Sequence, residues 1–341
     1  MSLTTVDGSL ISSGAITLTT QVTGTLPVAN GGTGVATAID YGFKNRIING
    51  GFPIWQRGTT VTPSLGSLTS YVSDRWVSYQ TGAAAAVSKS TGFNGQPNSL
   101  SFNGVASNTE VTMFQCIESV NCSDLVGSSI MLSIWLYSTV ASKSVSLFID
   151  TANTADTFSA TTQVAAVGVS VPASTWTQYT LTYANASSSV ANGIRVRVTY
   201  GVCTSGTYAM TGVQLEKGST ATSFDYRPYG TELALCQRYY VKTYNQSVVP
   251  GAVSSQGALF NYRSGTEVGF TFQFPVNMRT QPSITLYSPN TGTAAKVQVG
   301  STDFTAGVNG GFVGEKNTMA YAVSLSGTTD CYIHMTASAE L

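Results

Sequence analysis

The chain has 341 residues, only 9% of them charged, and its 16 basic and 16 acidic side chains cancel; an average soluble domain carries roughly 25% charge. A neutral chain with no basic cluster offers no field to draw in nucleic acid or an anionic membrane surface, and no apolar run nears the roughly 20 residues that span a bilayer. At roughly 100–200 residues per domain, the length suggests two domains and a small extra segment.

Residues 1–40 are rich in Thr, Gly and Ser and nearly devoid of aromatic or long apolar side chains. They bury too little apolar area to offset chain entropy by themselves. Within them lies TGTLPVANGGTG, Thr23–Gly34. A phosphate-cradling loop needs Lys and then Ser or Thr after its last glycine, between a strand and a helix. Here Gly34 is followed by Val35 and Ala36, so the stretch reads as an extended strap. Its small residues suit several backbones approaching one axis. No charged stretch followed by an apolar one opens the chain, so no secretory signal is expected.

Residues 41–229 hold all four Trp and most of the clear strand patterns. Val145, Leu147 and Ile149 alternate with Ser146 and Phe148, and Ile194, Val196, Val198 and Tyr200 with Arg195, Arg197 and Thr199. Period two marks strands with one face in a core. Ile130–Tyr137 is apolar on both faces, which predicts cover by a second layer or by another subunit. In TWTQYTLTYA, Tyr179, Leu181 and Tyr183 share a face, which puts Trp176 on the other with Gln178 and Thr180. Strands every ten to fifteen residues, with Gly, Asn, Ser and Pro between them, predict a sandwich or jelly roll.

The pattern breaks at Gly230–Tyr240, GTELALCQRYY. Good helix formers, Thr231 as N-cap, Glu232 in the first turn and Arg238 in the last predict a connecting helix. A single helical turn is also expected at Ser123–Gly127. Residues 241–341 return to strand patterns, such as Phe270, Phe272 and Phe274 alternating with Thr271 and Gln273. The predicted class is all-β: a strap over 1–40, a jelly roll over 41–229, a helix over 230–240 and a second β-sandwich over 241–341.

Catalytic chemistry finds little support. The single His334 lies in a strand pattern with no Gly-x-Ser-x-Gly elbow nearby, and reads as a hydrogen-bonded structural residue. Glycoside hydrolysis needs two carboxylates across one bond; Asp74, Glu110, Glu118, Asp150, Asp156 and Asp225 are available, none in a marking context. Asp74 reads as a partnered carboxylate at a strand start. Five Cys at unrelated spacings and one His make no zinc site, and buried thiols in a chain made in a reducing cytoplasm are expected. No cofactor and no metal are called for, although Asp150 and Asp156 leave a calcium site open.

Four stretches resemble tailed-bacteriophage tail fibres and receptor-binding proteins: TGTLPVANGGTG; NRIINGGFPIWQRG followed by SDRWVSY; GVQLEKGSTATSFDYRPYGTELALCQRYY; and FPVNMRTQPSITLYSPNTG with the terminal TASAEL. The second and third resemble the opening and close of a carbohydrate-binding-module-like jelly roll found in such proteins. The resemblance implies a homotrimer on the virion, synthesised in the host cytoplasm. Its N-terminus would attach to a tail, baseplate or adaptor protein, and its C-terminal domain would face a host surface glycan or lipopolysaccharide. It implies no catalytic residue, no nucleic acid and no membrane insertion. A polysaccharide depolymerase, and a neck, capsid or joining fibre without a receptor, are the alternatives. Glycan-binding residues are expected on C-terminal loops at Tyr287, Asn290, Phe304 and Phe312, with Trp176 in reserve. Trimer contacts are expected at Leu233, Leu235, Tyr239 and Trp135.

Overall fold

Two six-stranded antiparallel sheets face each other across the largest apolar cluster of the chain. The computed structural model describes residues 44–263, 265–308, 313–322 and 329–341. Sheet I runs β1 (Thr60–Val61), β4 (Val87–Thr91), β5 (Asn98–Asn103), β12 (Thr207–Lys217), β7 (Ile130–Ser138), β10 (Thr177–Tyr183). Sheet II runs β2 (Tyr71–Ser73), β3 (Trp76–Thr81), β6 (Glu110–Ile117), β11 (Ile194–Gly201), β8 (Lys143–Thr154), β9 (Thr157–Val171). From β5 to β8 and from β9 to β12 the chain changes sheet at every step, the wrapping of a jelly roll.

Side-chain alternation sets which face is buried. Ile194, Val196, Val198 and Tyr200 of β11 enter the core, as do Val145, Leu147 and Ile149 of β8. On the outer face of sheet II, Arg195 and Arg197 both pair with the buried Asp150, each at 3.0 Å. Asp156 accepts from the Ser119 amide at 2.7 Å and hydroxyl at 2.8 Å. Both carboxylates considered for calcium thus have protein partners.

The doubly apolar strand finds its cover within its own chain. Ile130, Leu132, Ile134 and Leu136 of β7 face the core. Beyond β12, residues 218–228 turn back along the other face. Thr222 donates its amide to Glu216 Oε1 at 2.9 Å, and the Asp225 amide donates to Gln214 Oε1 at 2.7 Å. Trp135 and Tyr137, also on that face, are half-buried against aromatic rings of the same chain. A second subunit is not needed to explain this strand.

One α-helix occurs among the described residues, α1 at Tyr229–Gln237. It begins a residue earlier than expected, with Pro228 rather than Thr231 at the N-cap and no side-chain cap bond. Proline fixes φ for a helix start, and Glu232 settles into the first turn. The helix stops at Gln237, short of the expected Tyr240, because Tyr240 opens β13 (Tyr240–Lys242), paired with β21 (Thr329–Ser338). The expected turn at Ser123–Gly127 is a short 3-10 segment, Ser123–Leu125.

The C-terminal part is again two sheets. β21 is flanked by β13, β14 (Leu259–Arg263), β16 (Ser283–Tyr287) and β17 (Lys296–Val299), with β18 (Thr302–Thr305) on β17. The second sheet is β15 (Val268–Gln273), β20 (Asn317–Ala322) and β19 (Gly307–Val308). Phe270, Leu286, Val297, Ile333 and Met335 share the core between them. His334 is buried and structural. Its ring stacks on Tyr244 with centroids 3.6 Å apart, Nδ1 sits 2.9 Å from Thr243 Oγ1, and Nε2 sits 2.9 Å from the Ser254 carbonyl.

Residues 45–341 form one compact unit, and a buried polar joint links the two sandwiches. Glu340 pairs with both Arg75 and Arg57, the latter at 2.9 Å. The Arg75 guanidinium lies 3.5 Å from the Tyr239 ring centre, and that of Arg57 lies 3.7 Å from Tyr240. Gln56 Nε2 donates to Asp74 at 2.7 Å and to the Tyr240 carbonyl at 2.8 Å. Asp74 is therefore the partnered carboxylate foreseen; burial still pushes its carboxyl above the usual range, against the pull of Arg57. All five Cys are buried and none forms a disulfide.

Candidate glycan-binding face

The outer face of sheet I is stepped. On one side its residues are small: Ser88, Ser101 and Ala209 lie in register across β4, β5 and β12. The row ends on Tyr137 of β7. On the other side stand large rings. Trp135 pairs with Thr211 of β12 and with Gln178 of β10, and Trp176 precedes β10. Because Leu181 is buried in the core and Tyr179 and Tyr183 pack against it, the alternation turns Gln178 outward.

Phe93, on the loop between β4 and β5, organises these rings. It stacks on Trp176 with centroids 5.3 Å apart and an interplanar angle of 11°, and meets Trp135 edge-on at 5.2 Å. Trp176 also touches Tyr137 at 5.4 Å. The result is a line of four rings, Trp135–Phe93–Trp176–Tyr137, each half-buried.

A groove lies to each side. Groove 1, about 600 Å³, is lined by Ser90, Ser99, Ser101, Thr207, Tyr137 and Trp176, among others. Groove 2, about 450 Å³, is lined by Ser133, Trp135, Gln178, Thr222, Phe224 and Tyr226, among others. Lys89 is the one charged residue along groove 1, and groove 2 has none. Such surfaces suit an uncharged ligand with an apolar face for the rings and hydroxyls for the Ser, Thr and Gln side chains. Among the described residues, no cluster of His, Cys, Asp and Glu is placed to hold a metal ion.

The residues singled out from sequence fall differently. The two C-terminal loops do meet: Ser288 donates to Asp303 at 2.6 Å, and Thr291 also donates to Asp303. Their rings, however, are engaged elsewhere. Tyr287 packs edge-on to Tyr244, and Phe304 packs on the C-terminal core. Asn290 is exposed, and Phe312 lies outside the described residues. Trp176, held in reserve, lines groove 1. Of the residues assigned to a trimer interface, Tyr239 is buried within its own chain, with the Arg75 guanidinium 3.5 Å from its ring centre. Trp135 lines groove 2, and Leu233 and Leu235 are half-buried on α1. Sequence reasoning missed Phe93, whose loop carries no periodic signal, and Tyr226, which lies in a segment without strand pattern.

No protein-family model and no curated protein matches the chain. Several solved structures are similar over about half of it. A protein described as sugar-binding from Bacteroides thetaiotaomicron is 16% identical over 51% of this chain and 100% of its own, with a TM-score of 0.38. TmCBM61, solved with β-1,4-galactotriose, is 13% identical over 51% of this chain and 99% of its own, with a TM-score of 0.34. The enzymatically active domain of tailspike protein 4 of bacteriophage CBA120 is 16% identical over 51% of this chain and 21% of its own, with a TM-score of 0.35. At such values the fold rests on the strand order and core described above, and nothing about function follows.

Proposed function

We propose that the chain is a non-enzymatic receptor-binding protein of a tailed bacteriophage, a tail fibre that adsorbs the particle to its host through a neutral surface glycan. Groove 1 carries this proposal: a hydroxyl-lined trough, closed on one side by Trp176 and Tyr137, with Phe93 fixing the Trp176 ring before any ligand arrives. Pre-set rings lower the ordering cost of binding. Neither groove is lined by a carboxylate, which favours binding over glycoside hydrolysis. The tail-fibre assignment is supported by the four sequence stretches that resemble such proteins. In this proposal residues 1–40 hold a homotrimer to the tail, and three weak sites combine into firm attachment.

Adsorption of the purified full-length protein to host cells tests the proposal. Trp176→Ala is expected to lower single-site affinity about tenfold, the range of one lost ring–ligand stack, and adsorption of the multivalent particle by more. Undiminished adsorption by a folded Trp176→Ala protein rules out groove 1. Light scattering is expected to give about three times the chain mass of 35.7 kDa; a monomer removes the multivalent mechanism.

A further inference from the structure

Groove 2 adjoins a smaller pocket of about 220 Å³, with which it shares Gln96, Phe224 and Tyr226. Pro53, Pro97 and Tyr229 supply the rest of its apolar wall, and Tyr226 and Tyr229 are each more than half exposed. Pockets for a whole drug-sized ligand run to roughly 300–1,000 Å³, so this one fits a single substituent of a larger molecule.

Three features narrow the substituent. Gln96 is 7% exposed, yet its Oε1 accepts no hydrogen bond within the protein. That oxygen lies against Gly51, only 2.6 Å from where a side-chain carbon would start, so any residue but glycine would displace it. A buried acceptor without a donor is unfavourable. The terminal torsion of Gln is broad, so the amide turns readily toward a donor entering the pocket. The second feature is the wall of rings and prolines, which asks for an apolar group. The third is charge. Glu232 borders the pocket, but its carboxylate already accepts from the Asn49 amide and from Arg227. Arg227 in turn donates to the carbonyls of Asn45 and Ile47. A carboxylate or an ammonium ion entering here meets no available counter-charge.

We infer that the pocket takes the acetamido group of an N-acetylated hexosamine whose ring lies in groove 2. The methyl packs on Pro53, Pro97 and the aromatic rings, and the N–H donates to Gln96 Oε1. A plain hydroxyl leaves the apolar walls unmatched, and a methyl alone leaves Gln96 unpaired. This inference rests on glycan binding by sheet I and adds the class of sugar.

The test is calorimetric titration of the full-length protein with triacetylchitotriose and cellotriose, which share a β-1,4-linked gluco backbone and differ in the acetamido group. Triacetylchitotriose is expected to bind about tenfold more tightly, the equivalent of one good hydrogen bond. Gln96→Met removes the acceptor while keeping the shape, and Tyr229→Ala opens the wall. Each is expected to bring triacetylchitotriose within about twofold of cellotriose without lowering the melting temperature. Equal affinities in the unmodified protein, no binding of triacetylchitotriose, or a preference that survives both variants overturns the inference while Trp176-dependent adsorption stands. Conversely, unchanged adsorption in Trp176→Ala with the acetamido preference intact removes groove 1 and keeps the pocket.

Discussion

Replacing Glu340 by Ala tests the joint between the sandwiches. The carboxylate neutralises two buried guanidinium groups; the Arg75 side chain is 1% exposed and that of Arg57 14%. Arg57 retains Asp74 at 3.9 Å. Arg75 retains only the Cys116 carbonyl at 2.7 Å and the Tyr239 ring, neither of which carries a charge. Removing one partner of a buried pair costs about 3–5 kcal/mol, because the other charge stays buried and unpaired. In a folding unit of this size that lowers the melting temperature by on the order of 10 °C. Arg75→Met should cost less, since Glu340 keeps Arg57 at 2.9 Å. Differential scanning calorimetry of both variants measures the order. If Glu340→Ala melts within about 2 °C of the unmodified protein, or if Arg75→Met is the more damaging, an uncompensated guanidinium is not what the joint guards against.

Two further outcomes are expected. Burial holds the His334 pKa below its usual 6.5, so the folded protein resists a proton that the unfolded chain accepts; stability is fully present above about pH 6.5 and falls as the pH drops below it. Urea denaturation from about pH 5 to 7.5 should show this slope, and His334→Gln should flatten it; an unchanged slope assigns the titration to other groups. Gly212 sits at φ +60° in the irregular stretch of β12, where a Cβ would lie 3.0 Å from Trp135 Cδ1. Gly212→Ala should cost about 1–3 kcal/mol in denaturant unfolding and shift tryptophan fluorescence; a neutral result means that the bulge relaxes freely.

The strands were readable from the sequence because alternation and burial have the same cause. Ile194–Tyr200 and Val145–Ile149 face the core as their pattern required. Trp176 was placed on the outward face by the three apolar residues that alternate with Gln178 and Thr180. The groove beside it was not readable, since it depends on which strands become neighbours: Ser101, Ala209 and Tyr137 come from three strands far apart in the chain. The sequence could not show the surroundings of the C-terminal loop aromatics, because isolated rings among Gly, Asn and Thr look alike whether they face solvent, meet another ring as Tyr287 meets Tyr244, or pack on a core as Phe304 does. Tyr239 misled for a related reason, since a helical repeat cannot show that an arginine from a distant turn lies over its ring. The stretches that resemble tail fibres supply the joint: Gln56 and Arg57, Asp74 and Arg75, Tyr239 and Tyr240, and Glu340. Groove 1 draws on unmarked segments, whereas half the lining of groove 2 and most of the smaller pocket belong to the stretches that resemble the opening and close of the jelly roll; the resemblance pointed to an architecture and not to a binding role for those residues.

The joint also has a mechanical meaning. Two sandwiches linked only by a helix would swing, and each groove would sample many directions. Here cations over rings, a shared carboxylate and the Gln56 side chain bonded to the Tyr240 carbonyl tie one sandwich to the other, so sheet I keeps a fixed aim relative to the C-terminal sheets. Where several copies engage one surface, a fixed aim converts binding at one groove into a high local concentration at the next. Under the proposed function, a softened joint would therefore cost attachment without touching either groove.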